Sequence, residues 1–137
     1  MSGNNNANYF DIHTSAFGFI NRVRKVVPNR GEPFWAADFS ACRGDAGEKT
    51  YFDVKVVGTE AIALFEQHLA NFEQGKDKVT ASIVIGDLRV EQFTYKAGEK
   101  KGQTGVSLKG RLLRFKYLKV NDEVVFKLNQ KPKPLNN

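Results

Sequence analysis

The sequence predicts a mostly β domain: a small closed barrel of five strands with one helix inserted after the third. Three observations carry this expectation. Short runs rich in β-branched and aromatic residues are separated by clusters of Gly, Pro, Asn and Asp, the pattern of strands and turns. One segment alone, from Thr59 to Gln74, changes to apolar spacings of three and four. The resulting order, three strands, a helix and a long hairpin, fits few architectures in 137 residues of 41% hydrophobic content, a length that suits a single domain.

Residues 1–16 are Asn-rich and lack apolar periodicity, so they are expected to form a disordered tail. The domain is expected over 17–128, followed by a disordered basic tail over 129–137. FGFINRVRKVV is the first strand, ended by PNRGEP, where two prolines and a glycine interrupt any ladder. FWAADFSAC follows, with Trp35, Ala37, Phe39 and Ala41 on one side and Ala36, Asp38, Ser40 and Cys42 on the other. After the turn RGDAGEK, TYFDVKVVG places Phe52, Val54 and Val56 on a core face and turns Tyr51, Asp53 and Lys55 outward.

The helix is predicted from Ile62, Phe65, Leu69 and Phe72, with Thr59 as its N-cap and Gly75 just past its end. KVTASIVIG and DLRVEQFTY then form one strand with a bulge or bend after Gly86, and Arg89, Phe93 and Tyr95 share one side of its second half. AGEKKGQTG is expected to be a long, mobile hairpin loop. SLKGRLLRFKYLKV, the last strand, breaks phase at Leu112-Leu113. A one-residue bulge there puts Leu108, Leu112, Leu113, Phe115 and Tyr117 on the core face and Lys109, Arg111, Arg114 and Lys116 on the other. A helix also accommodates Leu108, Leu112, Phe115 and Leu118, but Gly110 would cost it about 1 kcal/mol relative to Ala. This order matches a Greek-key barrel of the OB type, with the helix between strands 3 and 4 and a long hairpin between strands 4 and 5. An SH3-like barrel and an α+β sandwich are the alternatives.

Charge is unevenly placed along the chain. The net charge is +6, yet residues 1–88 carry 9 basic and 11 acidic side chains while residues 89–137 carry 12 and 4. A positive field concentrated in the last third suits a polyanion, nucleic acid before an anionic membrane surface. The single Cys42 excludes an intrachain disulfide and fits a cytoplasmic location. No apolar run reaches the length of a membrane span, and MSGNNNANYF lacks the features of a signal peptide, so neither secretion by that route nor membrane insertion is expected. With His13 in the tail and His68 on the helix, Cys42 has no convergent base. No phosphate-binding glycine loop or metal-ligating pair occurs either, so neither catalysis nor a cofactor is expected.

FINRVRKVVPNRGEPFWAADFSACRGDAGEKTYFDVKVVGTEAIALF and KVTASIVIGDLRVEQFTYKAGEKKGQTGVSLKG resemble the bacterial single-stranded DNA-binding proteins. The resemblance is closer to the shorter, replication-associated relatives carried on integrative conjugative elements, and it covers about residues 17–118. It rests on the order and spacing of diffuse motifs: a first strand ending in a turn, a third strand ending in VVG before the helix, and IGDLRVEQF leading into the hairpin. It implies an OB-fold whose sheet face and hairpin wrap a single strand, in a homodimer or homotetramer. It places Tyr51 where the family has a base-stacking aromatic, and Phe93 and Tyr95 on the protruding hairpin. Two departures stand out. The chain ends in QKPKPLNN instead of an acidic, Phe-tipped tail, so partner recruitment through such a tail is not expected, and Val56 and Val57 occupy the place of the third strand's last stacking aromatic.

Single strands are held by aromatic platforms plus a basic track. The stacking candidates are Tyr51, Phe93 and Tyr95, with Trp35 added although its face, shared with Ala37, Phe39 and Ala41, equally suits a core. The track is expected from Lys55, Arg89, Lys109 and Arg111, with Arg22, Lys25, Lys100 and Lys101 at loops and rim. Asp53, Asp87 and Glu91 would weaken the field locally, and Phe115 and Tyr117 are assigned to the core. The expected function is non-catalytic, largely sequence-independent binding of single-stranded DNA, or RNA, in replication or transfer of a mobile element. The alternative is a protein-interaction subunit of a primosome or conjugation complex.

Overall fold

Period-2 alternation becomes a sheet closed on itself. The computed structural model describes residues 12–73 and 77–128. Its elements are β1 (His13–Val26), β2 (Phe34–Cys42), β3 (Lys49–Val56), α1 (Thr59–Gln67), α2 (Leu69–Glu73), β4 (Val79–Thr94), β5 (Thr104–Val120) and β6 (Glu123–Lys127). The sheet runs β3-β2-β1-β4-β5, and a parallel pairing of β3 with β5, from Phe52 opposite Leu108 to Val56 opposite Leu112, closes it into a five-stranded OB-like barrel. β6 pairs with the C-terminal end of β5, opposite residues 117–120.

The alternating residues meet inside. Phe39, Phe52, Val54, Ile83, Ile85, Leu112, Phe115 and Leu118 form the core, joined by Ala61, Leu64 and Phe65 of α1 and Phe72 of α2. Phe65 lies 4.8 Å from Phe72 and 5.9 Å from Phe115, ring centre to ring centre, so the helices are locked to the barrel by aromatic contact. Burying each such ring contributes about 1.5–3 kcal/mol. β1 and β2 approach so closely at Gly18 that a Cβ there would overlap the carbonyl oxygen of Ser40 and lie 2.8 Å from the Cα of Ala41.

The helix differs from the expected continuous segment. It breaks at His68, whose φ of −112° and ψ of 24° leave helical geometry, and the backbone resumes as α2. Its N-cap is extended Gly58, without a side-chain capping bond, so Thr59 is the first helical residue instead of the cap. The buried stripe is Ala61, Leu64, Phe65 and Phe72, while Ile62 and Leu69 are half-buried. Gly75, the expected end, lies outside the described residues.

The strands depart from the sequence expectation in three places and bear it out at two, the bend past Gly86 and the phase break at Leu112-Leu113. β1 begins at His13 and pairs with β4 from His13 opposite Gly86, so four residues assigned to the tail belong to the sheet; residues 129–137 lie outside the described residues. In β4 the bend sits just past Gly86: between Gly86 and Arg89 this strand carries one residue more than β5, and Asp87 takes a φ of 54°. In β5, Leu112 faces Ile85 and Arg114 faces Val84, which makes Leu113 the extra residue at the predicted phase break. A second bulge at Lys116, between Phe115 opposite Ile83 and Tyr117 opposite Ser82, was not anticipated. It turns Tyr117 outward and brings Leu118 inward, so Tyr117 is half-buried on the outer face and not core, and Leu113 is only half-buried. Finally, the hairpin is laddered almost to its tip, with Tyr95 N–H donating to Gln103 O at 2.9 Å and Gly102 N–H to Tyr95 O at 2.9 Å, so the predicted loop shrinks to a turn. Among the described residues no helix is long and apolar enough to cross a membrane.

Candidate nucleic-acid interface

Because β1, β2 and β3 turn one set of alternate residues into the core, the other set is forced outward. Register aligns that set in rows across the sheet. One row holds Asn21, Asp38, Asp53, Lys109 and Arg89; the next on one side holds Phe19, Ser40 and Tyr51; the next on the other holds Arg24, Ala36, Lys55 and Arg111. Between Asn21 and Arg24, β1 carries a bulge in which Arg22 adopts a φ of 49°.

Tyr51 stands 65% exposed on this face. It lines both a cleft of about 570 Å³, walled by Arg22, Asp38, Asp53, Val90 and Val106, and a cleft of about 270 Å³ containing Phe19, Asn21 and Lys49. A third cleft of about 250 Å³ continues past Asp53 between Arg24, Phe34, Lys55, Arg89 and Lys109. The three form a groove floored by sheet and flanked by the hairpin. It exposes one phenol ring, and Lys55 sits 4.4 Å from the ring of Phe34.

A chain of ion pairs runs along the groove. Arg22 grips Asp38 through Nε at 2.7 Å and Nη2 at 3.1 Å. Arg24 bridges Asp38 at 3.2 Å and Asp53 at 2.7 Å, and Lys109 joins Asp53 at 3.7 Å to Glu91 at 3.4 Å. Glu91 also accepts from Arg89 Nε at 3.0 Å, and Arg111 pairs with Asp87 at 3.4 Å. The hydrogen bond from Arg89, reinforced by the charge of Lys109, holds the Glu91 carboxyl below its usual range. The hydrogen bond that Arg22 donates to Asp38 likewise raises the affinity of Arg22 for its proton. Four of the predicted basic contacts, Arg22, Arg89, Lys109 and Arg111, are therefore pre-paired with carboxylates instead of standing as free cations. Such pairs hold long side chains in line, and they must exchange partners before any phosphate can be bound.

The hairpin adds a second platform. Phe93, 40% exposed, meets Tyr95 edge-on with ring centres 5.0 Å apart, and Lys100 lies 5.5 Å from the Tyr95 ring. Both rings lie over Gly105, where a Cβ would come within 2.6 Å of Phe93 Cζ and 2.9 Å of Tyr95 Cε2. The bare glycine backbone is what lets both rings pack against the partner strand. Register puts Phe93 on the same side as Arg89 and Lys109, the side of Tyr51, and Lys101 is exposed in the turn.

Trp35 and Lys25 do not join this set. Trp35 is half-buried against the core cluster, its Nε1–H donates to Glu66 at 3.3 Å, and Lys25 lies 5.2 Å from its ring. Their shared register position is on the inward side of β1 and β2, away from Tyr51. Sequence reasoning in turn missed Arg24, Phe34 and Phe19. The signal for Phe19 was present: the alternation Phe17, Phe19 against Gly18, Ile20 has its two small or buried members inward. Arg24 had none, since its carboxylate partner Asp53 is 29 residues away in sequence. Among the described residues no cluster of His, Cys, Asp and Glu suited to a metal ion occurs.

Fold and site together define a small OB-like barrel with a grooved outer face of aromatic rings and paired charges. The chain belongs to the family described as Protein of unknown function (DUF3577), whose model matches residues 3–133. No curated protein and no solved structure matches it.

Proposed function

We propose that this protein binds single-stranded nucleic acid without catalysis and largely without regard to sequence, in the replication or transfer of a mobile element. The observation that carries the reading is the exposed ring of Tyr51 in a groove lined by Arg22, Arg24, Lys55, Arg89 and Lys109. Bases offer π-faces to Tyr51, Phe93 and Tyr95, and the backbone offers phosphates that displace Asp38, Asp53 and Glu91 from their cations. The resemblance to bacterial single-stranded DNA-binding proteins supports the mobile-element role. Anisotropy of labelled oligo(dT) and of a duplex of equal length, titrated at several salt concentrations, tests the proposal. Single strands should bind tighter, with affinity falling steeply in salt, and Tyr51→Ala should weaken them by about 1–3 kcal/mol, roughly 5- to 150-fold. Equal affinity for duplex would refute the reading.

A second reading is favoured by Val90 and Val106, 64% and 65% exposed on the hairpin. Exposed apolar pairs of this kind suit a protein partner. Val90→Ser with Val106→Ser leaving oligonucleotide affinity unchanged while abolishing a partner contact would support it.

A further inference from the structure

The groove does not end at Tyr51. The cross-sheet row Tyr51, Ser40, Phe19 continues through Thr80 on β4 to Lys119 on β5, and the next row holds Phe17, Ser82 and Tyr117. Two further clefts continue this line from the one at Tyr51. The one at Tyr51 also contains Phe19 and Lys78; the next, about 220 Å³, shares Phe19 and Lys78 and adds Phe17 and Lys119; the last, about 230 Å³, shares Phe17 and adds Lys116. Phe17 is 46% exposed, an unusual state for a strand phenylalanine, and Phe19 has Lys49 at 5.4 Å and Lys78 at 5.7 Å from its ring centre.

Apart from Lys55, the first stretch holds its cations in ion pairs, and the second stretch does not. Arg22, Arg24, Arg89, Lys109 and Arg111 all hold carboxylates, whereas among the described residues Lys49, Lys78, Arg114, Lys116 and Lys119 form no ion pair within 4.0 Å. Lys116 only donates to Ser15 Oγ, at 3.2 Å. Asp77 and Asp122 also line these clefts, and Asp77 is engaged by Asn71 and Asn121. Unpaired cations beside exposed rings are what a phosphate backbone with unstacked bases requires, and they release condensed counterions without first giving up a partner.

We propose that the outer face of β1, β4 and β5 is the second half of the binding path. On this assignment a strand held at Tyr51 runs on over Phe19 and Phe17, with Lys78, Lys116 and Lys119 taking its phosphates. The inference rests on the function proposed above and assigns this face to nucleic acid in place of a second copy of the chain. Lys78→Gln with Lys119→Gln keeps the side-chain stems and removes two charges. In salt titrations with long oligo(dT) the double variant should show a slope shallower by about 1.4, at roughly 0.7 per charge for single strands. It should also occlude fewer nucleotides per protein, and Phe17→Ala should shorten the occluded site too, with thermal melting unchanged in both. A wild-type slope and site size in both variants, while Tyr51→Ala still loses affinity, would overturn this inference and leave the proposed function standing. A wild-type protein that does not prefer single strands would remove both. Sedimentation showing that the same substitutions split a dimer, with oligonucleotide binding intact, would give the face to self-association and overturn the inference.

Discussion

Removing the carboxylate of Asp53 should strengthen binding. That carboxylate holds Arg24 at 2.7 Å and Lys109 at 3.7 Å. Both cations face the groove, so a phosphate reaching either must first break a pair that contributes about 0.2–1 kcal/mol. Asp53→Asn keeps the shape and lifts two such costs, about 0.4–2 kcal/mol, which is roughly a twofold to thirtyfold gain in affinity for single-stranded oligo(dT). The slope of log K against log salt should steepen by less than about 1.4, since Arg24 keeps Asp38 at 3.2 Å and Lys109 keeps Glu91 at 3.4 Å, so each cation is only partly freed. Anisotropy at four or five salt concentrations reads both quantities. The folded protein should lose stability by a like amount, visible as a lower melting temperature. A folded Asp53→Asn variant with unchanged or weaker affinity and an unchanged slope would show that phosphates do not compete for Arg24 and Lys109.

Three other outcomes follow from the same geometry. Gly18→Ala should destabilise the barrel by more than about 1 kcal/mol, because strand backbone at Ser40 and Ala41 blocks the added methyl and cannot move aside as a side chain would; urea denaturation measures it. The Glu91 carboxyl titrates below the ordinary glutamate range when folded, so the stability its pairs contribute is present above that range and is lost as pH falls through the lowered value. In Glu91→Gln that acid-side loss should shrink, as read by melting temperature while pH is lowered through the carboxylate range. Trp35, tied to Glu66 on the inward side of β2, should keep most of its fluorescence when oligo(dT) binds, and Trp35→Phe should bind as wild type does.

Local alternation and spacing made the barrel legible. β3 turned Phe52, Val54 and Val56 inward and Tyr51 outward as its pattern required, and the phase break at Leu112-Leu113 became a bulge centred on Leu113. The bulge at Lys116 left no trace, because Phe115 and Tyr117 continue an unbroken alternation of apolar and basic residues. Only pairing with Ser82 and Ile83 on β4 sets the register that skips a residue there. His68 broke the helix without a glycine or proline to mark it.

The candidate site was half legible for a related reason. Tyr51 and the hairpin rings followed from strand parity, but the partners of the basic residues did not. Arg24 reaches Asp53 across two strand boundaries, and Lys109 reaches it across a parallel closure that joins β3 to β5. The sequence's uneven charge suggested a free positive track in the last third. Register instead pairs Arg89, Lys109 and Arg111 with carboxylates, while among the described residues Lys49 and Lys78, beside Phe19, form no ion pair.

The most direct measurement is a map of backbone amide shifts on adding oligo(dT) to the labelled protein. Changes should concentrate at Tyr51, Asp53, Phe93, Tyr95 and Lys109, with Trp35 and the helices undisturbed. Shifts confined to the helices and the inward edge at Trp35, or none at saturating oligonucleotide, would contradict the proposed function.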